Sequence, residues 1–258
     1  MSRDFSEAIG FYVESELSRK IYSKVFLLFA LLLVSLVSFA QNVKTHIPER
    51  AFQYLPIYEK EAARIAPEIG YLPYYPALTE HESCISLKHS KCFSPTSELK
   101  TSRELGIGLA MVTKAYRKDG TLRFDKLQEM RSAYWSELQD LSWNNIKQRP
   151  DLQIRVVILL TKENWNKFFL LKDPWQRLAM TDSAYNGGAG SVQQAMRICG
   201  LKKGCDPQVW FDNVELVIPK SKEIMPGYGR SPYQINTHHV DDVMNTRYPK
   251  YKKYFDEN

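Results

Sequence analysis

Glu82 has the sequence setting of a general acid. It stands near the expected end of a helix, Pro76 to about Ile85, that begins in a Tyr- and Pro-rich turn. A carboxyl group can protonate a leaving oxygen when apolar and aromatic neighbours hold it neutral at the working pH. The polar stretch that follows Ser83 leaves room for a cleft. A solvent-exposed helical glutamate is the alternative interpretation, and neighbouring Glu80 is the natural control.

Two glycines separated by one residue mark a second candidate segment, Gly106-Ile-Gly108-Leu-Ala-Met111. We expect this segment to open a helix from Glu104 to Tyr116, with the glycines allowing a ligand to approach the backbone closely. Tight packing of the helix start is the alternative. A phosphate-binding loop is disfavoured, because the pattern predicts no strand before the segment and no Gly-Lys-Ser/Thr follows it.

The third segment, Ala184-Tyr185-Asn186-Gly-Gly-Ala-Gly-Ser-Val192, places an aromatic hydroxyl and an amide at the end of one predicted helix. The glycines that follow permit positive φ angles and leave space for a bulky ligand beside Tyr185 and Asn186. A glycine-rich turn between two helices, with Tyr185 packed in the core, is the structural alternative.

In this order and spacing the three segments resemble the lysozyme-like domain of the soluble lytic murein transglycosylases, a family that includes goose-type lysozymes. Glu82-Ser83 is similar to the family's Glu-Ser pair, residues 106–111 to its Gly-x-Gly-Leu-Met-Gln, and residues 184–192 to its Ala-Tyr-Asn-Ala-Gly-x-Gly-x-Val. Residues 151–160 resemble its long central helix. The resemblance covers roughly residues 57–217.

The resemblance implies that the protein cleaves the bond between N-acetylmuramic acid and N-acetylglucosamine in peptidoglycan and forms a 1,6-anhydro product. Glu82 would be the single general acid and then base, and Tyr185 would hydrogen-bond to it or orient it. No cofactor or metal is implied. The residues expected to contact substrate are Ser83, Gly108, Met111 and Asn186, although Met111 stands where the family has glutamine. Trp210, outside the motifs, is either a sugar platform or a core residue.

Two other functions remain open. A muramidase on the same fold would use water and a second carboxylate about 6.5 to 9.5 Å from the first, for which Glu98 and Glu104 are the candidates. The other possibility is a non-catalytic wall-binding module. In such a protein the family's glutamine would be absent because the protein no longer turns over substrate.

Residues 25–40 are apolar except for Ser35 and Ser38. We interpret residues 1–24 as a cytoplasmic segment and residues 25–40 as a transmembrane signal anchor; cleavage after Ala40 as a signal peptide is the alternative. Residues 41–258 would then be the lysozyme-like domain with a C-terminal helical extension. It would lie in the periplasm on the inner membrane, or be secreted, as in a phage endolysin.

The chain has 258 residues and a formal net charge of +6, and residues 1–24 contain equal numbers of basic and acidic residues. The excess positive charge therefore belongs to the remainder. Such a surface suits a polyanion, which here would be the bacterial wall, while the exported domain disfavours nucleic acid as a partner. A monomer is expected.

The four cysteines form two close pairs in the sequence, Cys84 with Cys92 and Cys199 with Cys205. In an oxidising compartment two local disulfides are the natural expectation. No Cys-x-x-Cys spacing is present, and the histidines fall in no standard zinc-ligand pattern.

Apolar periodicity predicts a mainly α fold, or α+β with at most a very small sheet. Strand-like alternation is confined to residues 214–218, and His238 and His239 are expected at a helix start. The predicted helices span residues 47–69, 76–85, 104–116, 124–138, 152–169, 175–185, 191–199 and 240–248.

Overall fold

The computed structural model describes residues 46–84, 86–225 and 229–258. The predicted cytoplasmic segment, the apolar segment 25–40 and the cleavage site after Ala40 lie outside these residues. None of the helices in the described part of the chain combines the length and apolar character needed to cross a bilayer. Residues 47–258 form one compact unit.

This unit is mainly helical and contains one small sheet, in agreement with the predicted fold class. The helices are α1 (Leu55–Ile65), α2 (Tyr74–Ser83), α3 (Lys126–Ala133), α4 (Trp135–Leu138), α5 (Pro150–Lys167), α6 (Pro174–Gly187), α7 (Ala189–Gly200), α8 (Pro232–Asp241) and α9 (Tyr248–Glu257). A π-helical segment, Asp242–Arg247, joins α8 to α9. The strands are β1 (Glu98–Lys100), β2 (Glu104–Ile107), β3 (Val112–Tyr116) and β4 (Leu122–Asp125).

Helix α5 is the central element of the unit. Its apolar residues face several directions and are nearly all buried, which is the pattern of a helix surrounded by other elements. It packs against α1 on one side and α6 on another. Helix α6 begins where the Asp173 carboxylate accepts hydrogen bonds from the amides of Trp175 and Gln176, and Pro174 occupies its first turn.

The C-terminal helices are part of the same core. Ser231 and Gln234 form a reciprocal capping box that starts α8. Helix α8 packs on α6, and the π-helical segment and α9 pack on α2. The C-terminal part of the chain therefore covers the helix that carries Glu82.

The predicted helix over residues 104–116 is wrong, because this region forms strands β2 and β3. Leu105 pairs with Lys114 and Gly106 with Thr113, in an antiparallel sheet of order β1-β2-β3-β4. Gly108 has φ +82° and Met111 has φ +42°, so the backbone between the strands turns through left-handed conformations that end any helix. The strand-like residues 214–218 instead contain a 3₁₀ helix, Val214–Val217.

Both predicted disulfides are present, Cys84–Cys92 and Cys199–Cys205. The first connects the end of α2 to the loop that precedes β1. Beside it the Ser83 hydroxyl accepts a hydrogen bond of 3.0 Å from the Phe93 amide. This disulfide therefore holds the loop against the helix end that carries Glu82.

We expect the paired substitution of Cys84 and Cys92 by serine to lower the free energy of unfolding by ~2–3 kcal/mol, because a short covalent loop is lost. Urea unfolding measures this change. The paired substitution of Cys199 and Cys205 is the matched control, because its disulfide closes a loop of similar length and we expect similar destabilisation. A loss in the first variant well below that of the control would contradict the role assigned to Cys84–Cys92.

Candidate active site

Glu82 lies in the last turn of α2 and contacts a histidine from the C-terminal part of the chain. Its side chain is 19% exposed, and its Oε1 lies 2.9 Å from Nε2 of His239 on α8. The two residues are 157 positions apart in the sequence. The packing of α8 and α2 therefore creates a Glu–His pair that no local motif contains.

A buried chain of hydrogen bonds continues behind His239. Its Nδ1 lies 2.7 Å from Oδ2 of Asp182 on α6, and the Tyr74 hydroxyl donates to Oδ1 of the same carboxylate at 2.8 Å. Asp182 and Tyr74 are completely buried, and His239 is 1% exposed. Glu82 is consequently the only member of this four-residue chain with appreciable exposure.

The electrostatic environment favours the charged forms of both Glu82 and His239. Burial raises the pKa of Glu82, but the hydrogen bond from His239 and the positive charges of His239 and His81 outweigh burial and lower it. Burial lowers the pKa of His239, but the charges and hydrogen bonds of Asp182 and Glu82 raise it to about 10. At neutral pH the pair is therefore a carboxylate and an imidazolium.

A groove of about 590 Å³ brings two of the sequence segments together. Met111 from the β2–β3 connection lines it, as do Tyr185 and Asn186 from the end of α6. The Tyr185 hydroxyl donates a hydrogen bond of 3.0 Å to the carbonyl of Ala110. Burial and the nearby charge of Glu82 raise the pKa of Tyr185. Tyr185 therefore connects the groove to the neighbourhood of Glu82, although its hydroxyl bonds to a backbone carbonyl.

Asn186 belongs to the turn between α6 and α7, which α8 holds in place. Its Oδ1 accepts from Nδ2 of Asn236 at 3.1 Å, and Asn236 also bonds to the hydroxyl and the carbonyl of Ser183. Gly188 follows with φ +85° and ends α6. The side chain of Asn186 thus both fixes the turn and lines the groove.

Gly108 approaches the central helix too closely for any other residue. A Cβ at this position would lie 2.1 Å from Oε1 of Gln153. That buried carboxamide accepts from the Leu109 amide at 2.7 Å and donates to the carbonyls of Pro95 and Ile146. Gly108 therefore allows the β2–β3 connection to pack directly against α5.

We expect Gly108→Ala to lower the free energy of unfolding by ~2–5 kcal/mol. About 1–2 kcal/mol comes from the positive φ angle and the rest from displacing a buried carboxamide from its hydrogen bonds. Gly120→Ala is the matched control, because Gly120 has φ +83° but nothing within 4 Å of the added Cβ. Chemical denaturation measures the free energy of unfolding of both variants. Equal losses in Gly108→Ala and Gly120→Ala would contradict this account.

Two other predicted substrate contacts are buried. The Ser83 hydroxyl donates to the Thr79 carbonyl at 2.7 Å and is 4% exposed as a residue. Trp210 has no exposed surface and lies in the hydrophobic core, which is the alternative role considered for it. Neither residue presents a free surface to a sugar in this structure.

Glu80 lies two residues before Glu82 in a different environment. It is 1% exposed, and its carboxylate accepts from Arg247 at 2.6 Å, from Lys250 at 2.5 Å and from the Tyr251 hydroxyl at 2.6 Å. These three partners come from the π-helical segment and α9. Glu80 therefore anchors the C-terminal helices, and Glu82 is the glutamate of α2 that remains accessible.

Sequence reasoning missed His239, Asp182 and Tyr74 as site residues. The prediction of a helix start at His238 and His239 is wrong, because the cap is Ser231 and both histidines lie in the last turn of α8. The signal was present: Ser231-Pro232-Tyr-Gln234 is a capping-box pattern with proline at the first helical position. It places His239 inside the helix.

Comparison with models of known protein families finds no match to this chain, and a search of curated proteins finds none. In the described part of the chain, no group of three or more His, Cys, Asp and Glu side chains is arranged to hold a metal ion.

Proposed function

We propose that the protein is a lytic transglycosylase of peptidoglycan, with Glu82 as its single general acid and base. The observation that supports this most is the convergence of the motif residues: Tyr185 bonds to the Ala110 carbonyl in a groove, and the Glu82 charge acts on Tyr185. Glu82 is also the exposed end of a buried polar chain. The groove itself is lined by Glu104, Glu129 and Glu163. We assign the acid to Glu82 because it stands in the motif and its charge acts on Tyr185 of the groove.

The proposal extends to the fold and the location. The described unit would be a lysozyme-like domain, and its partner would be the peptidoglycan glycan strand rather than nucleic acid. The protein would act as a monomer in the periplasm, held to the inner membrane through residues 25–40 or secreted after cleavage at Ala40. The sequence features of residues 25–40 support this part of the proposal.

In this reaction Glu82 protonates the glycosidic oxygen while the bond to muramoyl C1 breaks. The substrate's own acetamido group stabilises the positive charge that develops at C1. Glu82 then accepts the proton of the muramoyl C6 hydroxyl as that oxygen bonds to C1. The mechanism needs no water and no second carboxylate, in contrast to glycosidases that use an acid and base or nucleophile pair.

A hydrolytic muramidase is the second candidate, because Glu104 lines the same groove as Tyr185. Glu98 is a weaker candidate for the water-activating carboxylate, since it lies on β1 in an ion pair with Lys147 at 2.5 Å. The two mechanisms differ in their product: transglycosylation gives an anhydro ring, whereas hydrolysis gives a reducing end.

Mass spectrometry of the sugars released from peptidoglycan by the full chain tests the proposal. We expect 1,6-anhydro-muramoyl ends from the wild type and from Glu104→Gln. Reducing ends that disappear in Glu104→Gln would instead establish the muramidase. A folded protein with both disulfides that releases no sugar would exclude both enzymes and leave a wall-binding module.

A further inference from the structure

We propose that His239, held by Asp182, stores the proton that Glu82 delivers to the glycosidic oxygen. This inference rests on the proposed function, and it assigns the catalytic proton to a residue outside the motifs that carry the resemblance. His239 contacts Glu82 and not the reacting atoms, so it is a positioning residue that also relays a proton.

The donors and acceptors along the series of hydrogen bonds from Tyr74 to Glu82 determine where the protons lie. Asp182 is fully buried and accepts from the Tyr74 hydroxyl, so as a carboxylate it also requires a donor at its other oxygen. His239 Nδ1, 2.7 Å away, is that donor. A single proton then remains to be shared between His239 Nε2 and Glu82 Oε1, which are 2.9 Å apart.

Burial favours this arrangement. A carboxyl group as deeply buried as Asp182 is costly unless its oxygens face strong hydrogen-bond donors. An imidazolium that contacts Asp182 on one side and Glu82 on the other satisfies both carboxylates. Loss of the shared proton would leave two carboxylates facing a neutral ring.

Other charged groups around His239 pair with one another. From α2, the His81 ring lies 4.2 Å from the His239 ring, and its Nδ1 is 2.6 Å from the Asp242 carboxylate. Arg247 bonds to that same carboxylate and to Glu80.

His238 and Asp241 are the remaining ionisable groups nearby on α8, and the Tyr185 phenol lies close to Glu82. The anions that contact the His239 ring nitrogens are therefore Asp182 and Glu82.

The proton makes a closed cycle. The His239 Nε2–H bond breaks and the proton passes to Oε1 of the Glu82 carboxylate, giving a neutral imidazole and a neutral carboxylic acid. Glu82 delivers a proton to the glycosidic oxygen, which takes the electron pair of the broken C1–O bond. The C6 hydroxyl returns a proton to Glu82 as its oxygen bonds to C1, and the proton moves back to His239. The protein ends with the protons it had at the start.

The pH dependence of kcat/KM on soluble glycan oligomers tests the inference in the full chain. If His239 supplies the proton, activity extends through neutral pH and falls as the pH rises through about 10, where His239 loses its proton. An alkaline midpoint below pH 8 would overturn the inference. In particular, activity confined to acid would mean that Glu82 must be protonated from solvent.

His239→Gln is expected to lower the alkaline midpoint of about 10 by about four pH units, which corresponds to a loss of about a hundredfold in activity at pH 8. The matched control is His238→Gln. The ring of this neighbouring histidine lies 6.2 Å from the His81 ring, and its substitution is expected to leave the profile unchanged. Equal profiles for wild type and a folded His239→Gln variant would refute the relay.

Histidine NMR titration of the unliganded full chain provides a measurement that does not require activity or a folded His239 variant. His239 is expected to remain an imidazolium at pH 8 in the wild type, and Glu82→Gln is expected to lower its pKa because one of its two anions is lost. A neutral His239 at pH 7 would refute the inference. Product analysis separates the two proposals: reducing ends would overturn the transglycosylase even if the titration supports the shared proton.

Discussion

Glu82→Gln is expected to reduce the release of anhydro-muramoyl ends by about 10²- to 10⁴-fold, which is the contribution of a positioned general acid–base group. The amide has the same shape and retains a hydrogen-bonding atom toward His239, but it cannot carry the proton. The fold should persist, because Glu82 is partly exposed and accepts a single side-chain hydrogen bond from His239. Initial rates with soluble glycan oligomers, together with the melting temperature, measure the two properties separately.

Glu98→Gln is the control for this experiment. Glu98 is another carboxylate of the same unit, and its charge is taken up by Lys147 at the edge of the sheet. We expect its rate to stay within about twofold of wild type, since exposed ion pairs contribute about 0–1 kcal/mol. A Glu82→Gln variant that retains more than a tenth of the wild-type rate would contradict the assignment of Glu82.

Glu80→Ala is expected to lower the free energy of unfolding by about 3–5 kcal/mol. The substitution removes one partner of a buried ion pair and leaves the Lys250 ammonium and the Tyr251 hydroxyl without their Glu80 acceptor. Burial already lowers the pKa of Lys250, and the Glu80 charge opposes that effect. Urea unfolding with a single transition gives the difference.

Glu257→Ala provides the matched measurement on an exposed ion pair of the same C-terminal helix. Its carboxylate lies 3.9 Å from Lys253, and both side chains are mostly exposed, so a loss of at most about 0.5 kcal/mol is expected. A Glu80→Ala loss below 1 kcal/mol would refute the anchoring role. It would also remove the structural distinction between Glu80 and Glu82.

The sequence was informative where structure is decided locally. Periodicity and end signals located the central helix and the two helices that flank the glycine turn at residues 187–190, to within a few residues. Close spacing in the chain indicated both disulfides, because short loops keep the paired cysteines near each other. The position of Glu82 in the last turn of a helix also followed from the proline-rich start of that helix.

A very small sheet was expected, but its location was not predicted, because the apolar residues of β2 and β3 satisfy both a helical and a strand pattern over so short a stretch. Gly106 and Leu105 become strand residues only because β3 pairs with them and the connection rests on Gln153. Short segments have little intrinsic preference, so tertiary contacts decide their conformation.

The sequence by itself determined that α2 carries two glutamates, and only the tertiary structure decided their roles. At about 100° per residue, Glu80 and Glu82 point about 200° apart around the helix and meet different neighbours. Glu80 meets Arg247 and Lys250 and becomes buried, whereas Glu82 meets His239 and keeps an exposed edge. Helical periodicity fixes the direction of a side chain, but which distant segment covers that direction depends on the packing of the whole unit.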